Sequence, residues 1–369
     1  MFLNFESVAV NLKNNLKYFL AANSGVGFLS LFDSCYSAKD GWRVYIIKGG
    51  PGTGKSSFMK YMIKTAEEKN ENYIAVPCSS DPNSLDAVIF EARKTVIMDG
   101  TAPHTVDPKY PAVCEEILNF GRFWNKDKLI ENSAEIINLT DKNKQLHKRA
   151  SGYIKAAGQF LSDNLKLSSA MIDDNRIRVF AKRLCRKRIP QKNGFKEGSE
   201  KTVFLSGITP VGLISYPATI TELCRKTVII SDELGGVANK ILTYIRNYAI
   251  ESGYGIITVK NALLPDCLLD GVILPELSLG FIRENEFFKV NSDARRIHAR
   301  RFVSTEQIAK NRGRIKFNKK TAETLLKGAV EILGEAKAVH DELERYYIGG
   351  MDFNALNEYR KEFADRLFS

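Results

Sequence analysis

The stretch Gly-Gly-Pro-Gly-Thr-Gly-Lys-Ser at residues 49–56 restricts the fold of this chain more than any other. It fits G-x-x-x-x-G-K-[ST], with Gly49, Gly54, Lys55 and Ser56 at the fixed positions. Arg43 to Ile47 before it is a short run rich in β-branched and aromatic residues. After it, Phe58, Met59, Met62, Ile63 and Ala66 recur at helical spacing among Lys60, Lys64 and Glu67. The expected local structure is therefore a buried strand, a tight loop and an amphipathic helix. Glycines at 49, 50, 52 and 54 let backbone N–H groups turn inward around phosphate oxygens, and the helix N-terminus adds partial positive charge. The motif implies a nucleoside triphosphate with Mg²⁺, held by Gly49, Gly50, Pro51, Gly52, Thr53, Gly54, Lys55, Ser56 and Ser57. Lys55 is expected to reach the β and γ phosphates and act in catalysis, and Ser56 to place its hydroxyl on the metal. The alternative is a glycine-rich turn that binds nothing.

A magnesium site needs a second acidic element, ordinarily an Asp ending a buried strand. Thr95 to Asp99, TVIMD, fits, so Asp99 is the expected second metal ligand; its competing role is to open the turn Asp99-Gly100. Gly100 stands where many hydrolytic loops of this kind carry a Glu, which leaves the hydrolytic base unassigned. His104 and Asp81, both just beyond strand-like segments, are the candidates, with His104 taken as the catalytic one.

The two halves of the chain also resemble each other in order. Tyr18-Phe19-Leu20 returns as Val203-Phe204-Leu205, and Leu85-Asp86-Ala87-Val88-Ile89 as Leu269-Asp270-Gly271-Val272-Ile273. Between them the loop is damaged. Aligning Gly52 with Gly235 sets Val237, Ala238 and Asn239 against Gly54, Lys55 and Ser56, and Arg283 falls opposite Asp99. Further on, His147 and Tyr153 match His340 and Tyr346. The expected fold is α/β: two tandem three-layer α/β/α units, each followed by a helical hairpin. Residues 1–190 would be the active unit, with its hairpin at about 125–188; residues 191–369 would be a degenerate unit with C-terminal helices from about 320. Ile136, Leu139, Asn143, Leu146, Ala150, Tyr153, Ala157 and Phe160 form the expected helical seam.

The chain is 44% hydrophobic and 26% charged, an ordinary globular composition, and no stretch approaches the length of a membrane helix. The N-terminus lacks the basic flank of a signal peptide, and the six scattered cysteines form neither a CxxC pair nor a close Cys/His grouping. A cytoplasmic protein without disulfides or structural zinc is expected. The net charge of +11 is concentrated in basic segments 176–201 and 295–320, the second containing Arg295, Arg296, Arg300 and Arg301. These segments suit a nucleic-acid or protein partner, an arginine supplied to a γ-phosphate, or merely a solvated face.

The order GGPGTGKS, CSSDPNSLD, DGTAPHTVDPKYP, followed by an altered second copy, resembles a family of uncharacterised bacterial tandem P-loop ATPases, sometimes labelled nucleotide-kinase-like. The resemblance spans nearly the whole chain and implies ATP as the default nucleotide. Members commonly keep a recognisable second loop, from which residues 234–239 depart. Hydrolysis at the first loop, with the second unit as regulatory or structural partner, is the leading expectation. A small-molecule or nucleotide kinase, and a nucleotide-gated binding module for nucleic acid or protein, are the alternatives.

Overall fold

The computed structural model describes residues 16–102, 105–192, 197–286, 288–290 and 294–369. His104 therefore lies outside the described residues. In the first half the strands are β1 (Leu16–Lys17), β2 (Ala21–Ser24), β3 (Gly27–Ser30) and β4 (Arg43–Lys48). They are followed by β5 (Ile74–Pro77), β6 (Leu85–Phe90), β7 (Thr95–Asp99) and β8 (Glu115–Asn119). Its helices are α1 (Lys55–Glu68), α2 (Lys126–Glu131), α3 (Ser133–Ala170) and α4 (Asp174–Arg188). The second half contributes β9 (Glu200–Val203), β10 (Ser206–Thr209), β11 (Gly212–Ser215) and β12 (Lys226–Ser231). Strands β13 (Ile256–Lys260), β14 (Leu269–Leu274), β15 (Leu279–Glu284) and β16 (Arg295–His298) complete it. Its helices are α5 (Ala218–Leu223), α6 (Gly236–Glu251), α7 (Thr305–Gly349) and α8 (Phe353–Phe368).

The architecture is mixed α/β, with two six-stranded mixed sheets flanked by helices. The first sheet runs β1-β5-β6-β7-β4-β8 and the second β16-β12-β15-β14-β13-β9. In the first, β4 pairs in parallel with β7 and β8, while the hairpins β5-β6 and β6-β7 are antiparallel. The second sheet repeats this pattern. Strands β4 and β7 are buried almost throughout, which is why they read as continuous apolar runs rather than alternating ones.

The halves are related by a local two-fold. Phe19 and Phe204, equivalent in the repeat, exchange both backbone hydrogen bonds, at 2.8 and 3.0 Å. The same reciprocity appears at the bases of the long helices: Asp352 donates to the Phe123 carbonyl and Asp173 to that of Phe302. The increment that takes Phe123 to Phe302 also takes Asp173 to Asp352, so it fixes the register of the helical arms. The register read from the sequence is corrected here. His147 is equivalent to Leu326, and His340 to Leu161, because the shared His and Tyr spacing is coincidental while the reciprocal hydrogen bonds between the halves are not.

The expected hairpins are also corrected. The seam on α3 packs against α7 of the other half, antiparallel: Leu139 meets Val339 and Leu343 at one end, and Asn318 donates to Asn164 at 2.9 Å at the other. The shorter helices then cross over. Helix α4 buries Ile177, Leu184 and Cys185 with Val237, Ile241 and Ile245 of α6, against the second sheet. Helix α8 buries Leu356, Phe363 and Phe368 with Phe58, Met62 and Phe120, against the first. Each buried aromatic or aliphatic side chain in such a cluster stabilises by roughly 1.5–3 kcal/mol. Each sheet is thus sealed by a helix from the other half, and packing crosses the expected 190/191 boundary. No helix among the described residues is long and apolar enough to cross a membrane.

Candidate functional site

Strand β4 ends at Lys48 and α1 begins at Lys55, so Gly49–Gly54 forms the connecting loop at the C-terminal end of a central parallel strand. Gly52 and Gly54 have φ of 67° and 85°, backbone conformations that side chains disfavour. The loop is closely covered as well. A Cβ on Gly50 would lie 2.7 Å from the Tyr347 ring, and one on Gly52 would lie 2.7 Å from the Glu344 carbonyl oxygen. Thr53 is buried, and its hydroxyl closes the loop by donating to the Gly50 carbonyl at 2.8 Å.

Lys55 donates to the carbonyls of Gly49 and Gly50 at 3.1 and 2.7 Å, and its Nζ lies 3.6 Å from Oδ2 of Asp99. The ladder pairs Ile47 with Asp99, which brings the strand-end acid beside the loop. The two roles weighed for Asp99 are divided between its oxygens. Oδ1 accepts from the Thr101 backbone N–H and hydroxyl and shapes the turn, while Oδ2 faces Lys55. Ser56 Oγ accepts from the Leu85 N–H at 3.1 Å, next to the same strand ends. Asp81 caps its own turn through Asn83 and Ser84 and lies 3.4 Å from Lys337 of α7. Lys55, Ser56 and Asp99 are therefore together, whereas Asp81 sits under the helical arm.

Helix α7 contributes groups that no local motif announces. Glu344 Oε1 accepts the Gly52 N–H at 3.2 Å and lies 3.3 Å from Nε2 of His340. The hydrogen bond from His340 holds the Glu344 carboxyl below its ordinary value against the opposing effect of burial, and the Gly52 N–H adds to the lowering. One turn back, Lys337 joins Asp341 and Asp81. The two-fold equivalents of Lys337, His340 and Glu344 are Gly158, Leu161 and Leu165, so this polar stripe exists only above the first loop.

The second loop differs in length and in what fills it. Gly235, with φ of 88°, is the left-handed residue before α6 and therefore corresponds to Gly54. The alignment of Gly52 with Gly235 is overturned. The connection Asp232–Gly235 is two residues shorter than Gly49–Gly54, and Gly236 and Val237 take the places of Lys55 and Ser56. The Asp232 carboxylate accepts from the N–H groups of Leu234, Gly235 and Ala238 at 3.2, 3.0 and 2.8 Å. An internal anion thus occupies the turn.

No protein-family profile, curated protein or solved structure matches this chain. The site must be read from its own geometry.

Arg295, Arg296, Arg300 and Arg301 do not reach it within one chain. They precede α7, whose far end covers the first loop, and from Thr305 to Glu344 a helix rises by about 58 Å. Arg296 instead pairs with Glu284 at 3.3 Å. The basic segment 176–201 is partly absorbed into α4, whose apolar face is buried against α6. Position 360, an arginine on α8, lies closer to the loop than either run: its side chain and that of Asn357 line a cavity with Gly54 and Ser57.

Proposed function

We propose that the first loop binds a nucleoside triphosphate with Mg²⁺ and hydrolyses it, while the second half serves as the structural partner that seals and covers the site. The observation that carries the reading is the Gly52 N–H. In a loop shaped for an oxyanion, it already donates to a carboxylate, that of Glu344. A phosphate oxygen offers the same acceptor chemistry with more charge.

The donor set suits magnesium, which keeps most of its water and takes one or two protein oxygens beside those of the phosphates. Ser56 and Asp99 would hold it, and when bound it would neutralise charge on the β and γ phosphoryl groups. Lys55, now bonded to loop carbonyls, needs only to change acceptor to meet the phosphates. Ser57 and the N–H groups that open α1 would take the inner phosphate. The second half is unsuited to the same role because Gly236 and Val237 offer neither ammonium nor hydroxyl and Asp232 repels anions.

Phosphate release measured with Mg²⁺ and ATP, alone and with nucleoside monophosphates, DNA or RNA, tests the proposal. Release from ATP alone supports hydrolysis. Consumption only with a monophosphate, matched by a diphosphate product, transfers the assignment to a kinase. Tight binding without turnover, altered by DNA or RNA, transfers it to a nucleotide-gated binding module.

A further inference from the structure

Beside the first turn of α1 lies a cavity of about 270 Å³. One wall belongs to the loop and α1, through Gly54 and Ser57; the other belongs to α8 of the second half, through Phe353, Leu356, Asn357 and Arg360. The composition is uneven in a useful way. Phe353 offers a ring face, and Asn357 a carboxamide with one donor and one acceptor. Arg360 offers a guanidinium fixed 4.6 Å above the Tyr61 ring, whose buried Nε has no hydrogen-bond partner among the described residues. The two-fold counterparts of Phe353, Asn357 and Arg360 are Asp174, Arg178 and Ala181, so the combination is not a by-product of duplication.

We infer that this cavity receives the adenosine portion of the bound nucleotide and that α8 recognises it. The inference rests on the triphosphate reading of the loop, which supplies the direction. Lys55 and Asp99 mark the end where the terminal phosphate lies. Ser57, on the first turn of α1, marks the end where the chain continues into the sugar, and it lines the cavity. A volume of this size accommodates a nucleoside but not a macromolecular ligand. Phe353 stacks on the base, and the Asn357 carboxamide matches the N7 acceptor and N6 donor of adenine, whereas guanine presents two acceptors on that edge. Arg360, held over Tyr61 in the second turn of α1, lines the cavity on the side away from the loop. One half of the molecule thus binds the phosphates and the other selects the base, which gives the second half a role without its own nucleotide.

Calorimetric titration of the full chain with Mg²⁺-ATP, Mg²⁺-GTP and Mg²⁺-tripolyphosphate tests this, using wild type, Asn357→Trp to fill the cavity and Asn357→Ala to remove the carboxamide. Wild type should bind ATP about tenfold tighter than tripolyphosphate, and tighter than GTP. Asn357→Trp should erase the ATP advantage over tripolyphosphate, and Asn357→Ala the preference over GTP, with tripolyphosphate affinity unchanged in both. Equal binding of ATP and tripolyphosphate by wild type, or undiminished ATP affinity in Asn357→Trp, overturns the nucleoside site and leaves the loop assignment standing. Failure of wild type to bind any of the three overturns both.

Discussion

Arg283 holds, on β15 of the second sheet, the register position that Asp99 holds on β7 of the first. Both strands follow an antiparallel turn of the same length, with Leu274 pairing Leu279 and Phe90 pairing Thr95, so the equivalence is geometric. The acid that faces Lys55 in one half is replaced by a buried base in the other. Arg283 donates to Asp270 at 2.9 Å and to the Asp232 carbonyl at 3.1 Å, tying the short loop to its neighbouring strands. Arg283→Ala would leave the buried Asp270 carboxylate without its partner cation. Loss of one member of a buried pair costs about 3–5 kcal/mol, so urea denaturation should show a destabilisation of that order. A change below about 1 kcal/mol would show that the cation is dispensable to the second half.

Glu344 bears on the first site in the opposite sense to a ligand. On the triphosphate reading its carboxylate, which accepts the Gly52 N–H, would compete with phosphate for that donor and repel the incoming charge. Glu344→Gln keeps a side chain of the same size and an oxygen that can accept the N–H, but removes the charge. Affinity for Mg²⁺-ATP should therefore rise roughly tenfold, a gain of about 1.4 kcal/mol within the range of one charge–charge contact in a partly solvated site. Reduced affinity or abolished turnover would instead make Glu344 a working part of the reaction.

The pairing of the long helices should carry a pH signature. Burial lowers the pKa of His147 below its ordinary value, and the nearby His340 adds to the lowering. A depressed folded-state pKa contributes stability that is present above the unfolded value and lost as pH falls through the folded one. The melting temperature should decline as pH falls below about 6.5, the ordinary value of a histidine in the unfolded chain. His147→Gln should flatten that decline. An equally steep decline in the variant would place the responsible proton elsewhere.

How much was legible in the sequence follows from the range of each interaction. The strand-loop-helix around Gly49–Ser56 and the strand ending at Asp99 are set by local periodicity and turn chemistry, and both occur where the residues indicated. The duplication was visible because apolar strand positions such as Leu85–Ile89 and Leu269–Ile273 are held to one pattern by burial. The seam on α3 was legible as a seam, but its partner was not, since an apolar stripe is equally satisfied by any stripe of matching length. Glu344, Tyr347, Asn357 and Arg360 reach the loop only through the crossing of α7 and α8, and nothing in their neighbours announces it. The second loop was misaligned because loop length cannot be judged from glycines alone; the left-handed φ shared by Gly54 and Gly235 settles it.

Lys55 and Asp99 offer the direct test of the triphosphate reading. Lys55→Ala removes an ammonium whose polar partners among the described residues are loop carbonyls and Asp99, so the fold should persist while nucleotide binding falls sharply. Wild type at a ligand concentration 100 times Kd gains about 2.7 kcal/mol, a readily measured thermal shift. That shift should be largely absent in Lys55→Ala. Asp99→Asn keeps the hydrogen-bonding oxygen for Thr101 and should retain binding but lose most Mg²⁺-dependent turnover. An undiminished shift in Lys55→Ala would return the loop to a purely structural role.

Each chain should bind one nucleotide, not two. Three N–H groups of the short loop, those of Leu234, Gly235 and Ala238, are spent on the Asp232 carboxylate, and the loop lacks the two residues that would widen it for a phosphate. Above it the arm presents Leu165, buried in an apolar cluster, where the first loop meets Glu344. A phosphate entering there would have to displace an anion bonded to the same backbone and would gain no ammonium, because Gly236 stands at the position of Lys55. Asp232→Asn should accordingly create no second site, since an amide oxygen can still accept from the loop and the missing cation is not restored. Calorimetry should return a stoichiometry of one for wild type and for Asp232→Asn, falling toward zero in Lys55→Ala. Two nucleotides per chain in wild type would sink the prediction, as would saturable binding that survives in Lys55→Ala and disappears only when the second loop is altered.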